Sequence, residues 1–346
     1  MSLDLDILSP LTYPGWNGLV LASGGGSFFH SSYWARVLHE SYGYKPVYFA
    51  SIGKNRFETL SPFMEVDSPL TGRRGVSLPF TDYCEPILPG DGDAGRVMDG
   101  IIGFGKKSGW KYAELRSGGK LPSSLRVSSE YYGHVLDIGR DEKAVFSGFR
   151  ESTRRNIRKA GKEGVKVTVS ASSDAVGDFY RLNCMTRKVH GLPPQPFRFF
   201  EIIHKYVLSS GHGIVVLAER GGAKVAGAMY FHFGDKAIYK YGASDRRHQH
   251  LRANNLVMWE AIKHYSAMGC KTFCFGRTDP GNDGLMRFKR GWGGEEQSIK
   301  YYKYDLRQES FVKDTPMTYG FHNEIFSRMP IPLLRFTGSL LYRHLG

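Results

Sequence analysis

The chain has only four cysteines in 346 residues, Cys84, Cys184, Cys270 and Cys274, too few to staple a fold of this length. Cys270 and Cys274 lie four apart in an apolar run that reads as a strand. That offset puts them on one face and too far apart for an ordinary bridge, so they read as buried thiols. Zinc spacing is missing as well. No second Cys pair or His cluster occurs, and His248 and His250, two apart beside arginines, read as part of a polar loop. Long apolar runs are also lacking. No stretch reaches the roughly 18 residues of a membrane span, and the N-terminal MSLDLDILSPLTYPGW is too acidic and too short in apolar run for a signal peptide. The expectation is a cytoplasmic protein. Acidic residues are the minority charge, with 33 Asp and Glu against 47 Lys and Arg, for a net charge of +14. An anionic partner follows, whether phosphate, nucleic acid or membrane surface.

Large side chains are plentiful. Hydrophobic residues make up 41% of the chain, and 20 Tyr and 22 Phe supply rings for cores and pocket walls. The length allows two domains of ordinary size. An internal echo supports that division. YKPVYFASI-GKNR-FETLSPFMEV from residue 44 and GIVVLAER-GGAK-VAGAMYFHF from residue 213 both read as β-hairpins. In each half a helix, a glycine stop and a strand follow, at residues 96–116 (RVMDGIIGFGKKSG, then WKYAELR) and 254–277 (NNLVMWEAIKHYSAMG, then KTFCFGR). The chain is read as an N-terminal domain at 1–140, a C-terminal domain at 141–310 and a helical tail at 311–346. Asp141 is placed to cap a short helix at 142–149, and Ser152 or Thr153 to cap the next.

Charge is densest over residues 150–166. Arg154 and Arg158 share a helix side, as do Arg155 and Lys159, giving a cationic stripe opposite Ile157 and Ala160. Arginine forks match phosphate oxygens, although a solvated helix face explains such a run equally well. In GRTDPGNDGLMRFKRGWGG (276–294), residues 278–284 read as a loop closing a strand. Lys289 follows among aromatics and glycines, where an ammonium can meet an oxyanion or phosphate. Asn254 and Asn255 open the long helix of the second half, and free N–H groups at a helix start attract anions. Gly100, Gly105 and Lys106 imitate a phosphate loop. Lys107 stands where Ser or Thr should bind magnesium, and the segment precedes a strand rather than following one, so the motif is set aside.

Together FFHSSYWARVL, STRRNIRKAGKEGVKV, ANNLVMWEAI, FGR and LMRFKRGWGG resemble the FemAB-like branch of the GNAT acyltransferase superfamily, over about residues 29–304. The resemblance implies an α/β fold of tandem GNAT-like domains, each a mixed, largely antiparallel sheet flanked by helices. It implies an acyl or aminoacyl transferase acting on an amine of a peptidoglycan-type cell-envelope precursor. Lys289 would then be the catalytic residue, stabilising the oxyanion or a tRNA phosphate. Arg154 or Arg155, with Arg36, would hold a substrate diphosphate, and Asp82 and Tyr83 would line the cleft. Arg158, Asn254, Asn255, Arg277 and Phe288 complete the expected substrate-binding set, with no metal. Aminolysis of an activated ester requires a held carbonyl and charge stabilisation more than a strong base.

The sequence departs from the family twice. No charged heptad stretch supplies the helical hairpin associated with tRNA in the better-known members, and RRHQHLRANN lacks the glycines of a coenzyme A pyrophosphate turn. The donor therefore stays open between aminoacyl-tRNA and acyl-CoA, with no tightly bound cofactor expected. An N-acyltransferase acting on a polysaccharide-related or small amine, and a non-catalytic binder of RNA or anionic lipid, are the alternatives. Residues 325–346 combine leucines, phenylalanines and arginines, suited either to packing as a terminal helix or to lying on an anionic membrane at its inner face.

Overall fold

The structure is a computed structural model that describes residues 5–90, 93–118, 121, 125–314 and 321–346. The first four residues of the acidic N-terminus and residues 315–320 of the tail lie outside the described residues. The chain divides into two compact units. Unit 1 comprises Met1–Tyr132, Gln297–Pro316 and Arg343–Gly346, and unit 2 comprises Gly133–Glu296 and Met317–Tyr342.

Unit 1 begins with β1 (Asp6–Leu8), α1 (Trp16–Ala22) and α2 (Ser32–Tyr42). Strands β2 (Lys45–Pro46), β3 (Tyr48–Gly53), β4 (Arg56–Ser61), β5 (Met64–Val66) and β6 (Arg74–Val76) follow, then α3 (Ala94–Lys107) and β7 (Tyr112–Ser117). The first expected hairpin is β3–β4, turned at Lys54 and Asn55, whose φ angles of 52° and 60° are left-handed. The pseudo-phosphate-loop glycines sit inside α3, which removes any resemblance to a loop. Strand β6 pairs parallel with β7. The core of the unit gathers Phe49, Phe63, Ile101, Trp110 and Tyr302.

Strand β8 (Ser129–Asp137) carries the chain into unit 2, which continues with α4 (Glu142–Ser147), α5 (Glu151–Lys162), β9 (Lys166–Ser170), α6 (Ser173–Val189) and α7 (Phe197–Ile203). Next come β10 (Gly213–Arg220), β11 (Ala223–Phe233), β12 (Lys236–Ser244), α8 (Ala253–Ala267), β13 (Thr272–Cys274) and α9 (Asp283–Arg290). Strand β14 (Glu295–Asp305) returns to unit 1, where β15 (Ser310–Val312) pairs with it. Helices α10 (Phe321–Arg328) and α11 (Ile331–Leu341) close the described chain within unit 2.

The sheet of unit 2 runs β8-β13-β12-β11-β10-β9, antiparallel throughout except for the parallel β12–β13 pair. Gly221 and Gly222, at φ 58° and 79°, turn the second expected hairpin, β10–β11. In both halves a helix delivers its following strand beside an earlier one in parallel: α3 delivers β7 to β6, and α8 delivers β13 to β12. The echo is not complete, because β3–β4 joins β1 in a separate three-stranded sheet. Helix α8 buries Val257, Ala261, Ile262 and Tyr265 against β10 and β11, as its spacing predicts. Asp141 caps α4 by accepting from Lys143 N. Neither Ser152 nor Thr153 caps α5. Arg150 holds that position because its N–H donates to Gly291 O at 2.9 Å, so the helix start is set by a tertiary contact. All four cysteines are free, and Cys270 precedes β13 rather than lying within it. Among the described residues there is no metal-ligating cluster and no helix long and apolar enough to cross a membrane.

Candidate functional site

The site in unit 2 begins with the turn that feeds α8. Asp245 accepts from Arg247 N at 3.0 Å and caps a short 3-10 helix over residues 246–251. Its carboxylate also receives Arg247 Nη2 at 2.7 Å and lies 3.2 Å from His248 Nδ1. These partners, the Arg247 hydrogen bond foremost, pull its pKa down to about 2 against the opposing effect of burial. Arg252 then adopts a left-handed backbone, φ 59°, in front of α8 and offers no side-chain cap. Arg252 O accepts from Asn255 N at 3.0 Å, no side chain of Arg252 caps the rest of the first turn of this fifteen-residue helix, and a space opens beside it.

That space is a cavity of about 430 Å³. Val225 and Ala226 at the start of β11 and Ser244 at the end of β12 form one side, and His248, Gln249 and Arg252 form the rim. Asn254 and Asn255 come from α8, and Gly284 and Phe288 from α9. Asn254 is exposed and Asn255 buried. Three sequence candidates, Asn254, Asn255 and Phe288, therefore meet here. Asp245, His248 and Arg252 were missed by sequence reasoning. The signal available was Asp245 two residues before Arg247, a capping pattern hidden inside what reads as a polar loop.

Lys289 lies on helix α9, which Asn282 caps by accepting from Leu285 N, so the helix already begins inside the expected 278–284 loop. It is only 2% exposed, and its Nζ donates to Gly276 O and Arg277 O, each at 2.9 Å. The ammonium thus ties α9 to the strand end that carries half-buried Arg277. The glycines that follow are explained by close approach. A Cβ on Gly291 would come within 2.5 Å of Thr153 Oγ1 on α5. Gly293, at φ 71°, leaves room for Gly148 O, and Gly294 for Val135 O. Trp292, fully buried, stacks near Phe275 and meets Phe149 and Phe288 edge-on. The motif is a joint that locks α9 to α5, to β8 and to the strand end.

On α5, Arg154 is half-buried and its Nε has no hydrogen-bond partner, whereas Arg155 and Arg158 are exposed. Arg158 stacks over Phe146 with its guanidinium carbon 5.6 Å from the ring centroid. Ile157 and Ala160 are buried as the narrow packing face. Close to the Lys289 joint, His134 shares Glu296 with Arg290: His134 Nε2 is 3.1 Å from Glu296 Oε2, and Arg290 grips both carboxylate oxygens. Burial lowers the His134 pKa despite that carboxylate, and the Arg290 hydrogen bond lowers that of Glu296.

The remaining candidates belong to unit 1. Arg36 borders a cavity of about 400 Å³ lined by residues 10–18 and Ser32, and its Nη2 lies 3.5 Å from Leu11 O. Tyr301 OH donates to Asp82 O, and Gln297 Nε2 donates to Tyr83 OH.

Residues 147–290, which contain the cavity, α5 and Lys289, match the family model of the acetyltransferase (GNAT) domain. This segment is therefore similar to a GNAT acyltransferase domain. The chain is 34% identical over 94 residues to a lipid II:glycine glycyltransferase of Staphylococcus haemolyticus, covering 25% of this chain and 22% of that protein. A lipid II:glycine glycyltransferase of Staphylococcus epidermidis is 34% identical over 98 residues, 26% of this chain and 24% of that protein. The aligned region thus spans less than a quarter of these relatives. Among solved structures, FemX matches with a TM-score of 0.66 at 13% identity, over 86% of this chain and 97% of its own. A tandem GNAT protein from the clavulanic acid biosynthesis pathway matches with a TM-score of 0.55 at 9% identity, over 88% and 98%. These likenesses establish the fold: mixed α/β, with mostly antiparallel strands flanked by helices.

Proposed function

We propose that the protein is an acyltransferase that moves an activated aminoacyl or acyl group onto an amine of a lipid-linked, peptidoglycan-type precursor. The observation that carries this reading is the cavity at the start of α8, which lies within the segment that matches the GNAT family model and brings the helix start together with Arg252 and His248. A helix start of this kind favours a phosphate or diphosphate. Both donors, the 3′ end of an aminoacyl-tRNA and the pyrophosphate of coenzyme A, present one. The relatives' names favour a lipid II acceptor and a glycyl group, and the family resemblance is what implies the tRNA ester. The GNAT domain match leaves acyl-CoA as the second reading.

In this mechanism the donor carbonyl is held while a neutral acceptor amine attacks. The tetrahedral intermediate collapses with loss of the tRNA hydroxyl or the coenzyme A thiol, and the amine proton passes to solvent or to the leaving group. Arg154, Arg155 and Arg158 serve as phosphate contacts on α5, and Asn254, Asn255 and Phe288 hold the donor. Lys289 acts as a positioning residue, because its protons hold the Gly276 and Arg277 carbonyls. In unit 1, Arg36 is a phosphate contact, and Asp82 and Tyr83 are acceptor contacts. No tightly bound cofactor or metal takes part, and the work is done in the cytoplasm at the inner face of the membrane.

The test is a donor screen in which purified protein, a lipid-linked precursor bearing a free amine, and either mixed aminoacyl-tRNAs or acetyl-CoA are incubated and the acceptor is weighed by mass spectrometry. A mass gain of one amino-acid residue from the tRNA donor is expected. A gain from acetyl-CoA alone replaces the first reading with the second. No gain from either, with salt-dependent RNA binding indifferent to the ester, overturns both in favour of a non-catalytic binder.

A further inference from the structure

Helix α11 presents two different faces. Leu334 is fully buried and Gly338 packs against the Pro194 carbonyl, which seats the helix on the body of unit 2 beside α6. The opposite side carries Leu333, Phe336 and Leu340, which are 50%, 60% and 54% exposed. Their spacing of three and four residues puts all three on one stripe. Most other large apolar side chains exposed in the described chain, such as Ile52, Leu70 and Met268, stand singly, and single exposures call for no explanation. A continuous stripe does.

Beside the stripe the surface dips into a mainly apolar groove of about 310 Å³ between α6, α7 and α11, walled by Tyr180, Phe197, Pro332 and Phe336. Arg335 overhangs it, with its guanidinium carbon 5.2 Å from the Tyr180 ring centroid. From residue 325 to residue 342 the chain contains Arg328 and Arg335 and no carboxylate. A second copy of this protein would bring like charges face to face on a chain that already carries +14. Arg328 is already paired with Glu324 at 2.6 Å, whereas an anionic surface would complement Arg335. Arginine at the edge of an apolar helix face also suits a headgroup layer, with the charge at phosphate level and the stem among acyl carbons.

We propose that α11 is a membrane-docking element. Leu333, Phe336 and Leu340 enter the interface of an anionic bilayer, and Arg335 meets a lipid phosphate. This deepens the reading above and rests on it only for its purpose, the reach to a lipid-linked acceptor, since the surface argument stands on α11 alone.

The test is flotation of the full chain with vesicles of phosphatidylcholine, with or without 30 mol% phosphatidylglycerol (an assay composition chosen to set the surface charge). Wild-type protein is expected to float with the anionic vesicles and to be released by high salt in large part. The triple variant L333S/F336S/L340S should partition at least ~10-fold more weakly. It should keep its melting temperature and its transfer rate to a water-soluble acceptor fragment. Arg335→Gln should weaken anionic binding about threefold and leave neutral vesicles unaffected. Absence of flotation overturns the proposal, as does undiminished binding by the triple variant. It is equally overturned if light scattering shows a dimer that the triple variant abolishes while no vesicle binding is seen. Flotation without transfer in the donor screen would defeat the enzymatic reading and leave this one standing.

Discussion

A lysine ammonium with almost no access to water survives only where its charge is matched by acceptors, and Lys289 has two carbonyls at 2.9 Å. Lys289→Ala leaves Gly276 O and Arg277 O without that donor. We expect transfer to fall about 10- to 100-fold, because α9, which carries Phe288 into the cavity, loses its tie to the strand end. Single-turnover transfer measured alongside melting decides the matter. A variant that melts as wild type and turns over unchanged would remove Lys289 from the mechanism. At Gly293 the constraint is steric and conformational together, since a methyl group would meet Gly148 O at 2.6 Å in a left-handed backbone. Gly293→Ala should cost roughly 2 kcal/mol or more in urea unfolding, whereas Gly222→Ala, left-handed but in open space, should cost about 1 kcal/mol. The FKRGWGG stretch was legible in the sequence as important. Its structural half was not, because the backbone partners at residues 135, 148 and 276 are distant in sequence or belong to a strand end that only folding brings near.

Among the elements, the strand pair β10–β11 and helix α8 share a feature that governs behaviour in acid. His212, His232 and His264 lie where burial lowers their pKa values, and His232, further opposed by the other two, drops to about 4. In the fold His232 stays neutral down to about that pH, whereas the unfolded chain takes up its proton near 6.5. Below 6.5 the unfolded state therefore binds more protons, and stability declines as pH falls from 6.5 toward 4. His232→Gln should flatten that part of a melting-temperature profile. An equally steep decline in the variant would shift the cause elsewhere. Asp245 acts lower, since its stabilisation is complete above the ordinary carboxylate range and disappears as pH falls toward 2. Periodicity revealed the hairpins, α8 and the apolar side of α5, because each rests on residues adjacent in sequence. The N-terminus of α5 and the end of the 278–284 loop were misread, since Asp283 and Gly284 already belong to α9. The first is set by Gly291 O and the second by an Asn282 cap among residues that otherwise signal a loop.

At the scale of the whole chain, the tandem pattern could be read because hairpin, helix and strand recur in order. The separate β1-β3-β4 sheet could not, since pairing partners leave no mark on a single strand's sequence. Of the candidate site, the sequence pointed to α5, the start of α8 and the α9 segment. It did not point to Asp245, His248 or Arg252, whose side chains line the cavity only after the 3-10 turn has formed. The excess of positive charge makes a further expectation measurable. If tRNA is the donor, its dissociation constant should rise steeply with salt, and removing Arg155 and Arg158 together should lower the slope of log Kd against log salt by about 1 to 2. An unchanged slope would exclude the α5 stripe from the RNA footprint.

The route of the chain has a consequence for how the protein comes off the ribosome. Strand β7 pairs antiparallel with β14, residue 117 with residue 300, so nearly all of unit 2 is synthesised between the two partners. Until β14 emerges, that edge of β7 has bare N–H and C=O groups, an invitation to the wrong neighbour. The residues of unit 2 from 133 to 296, by contrast, emerge as one uninterrupted stretch. The 133–296 stretch that carries the cavity is thereby free to close first, whereas unit 1, the first begun, waits for residues 297–316 and 343–346. Chains halted before residue 297 should be the ones that aggregate, with their N-terminal half as the culprit.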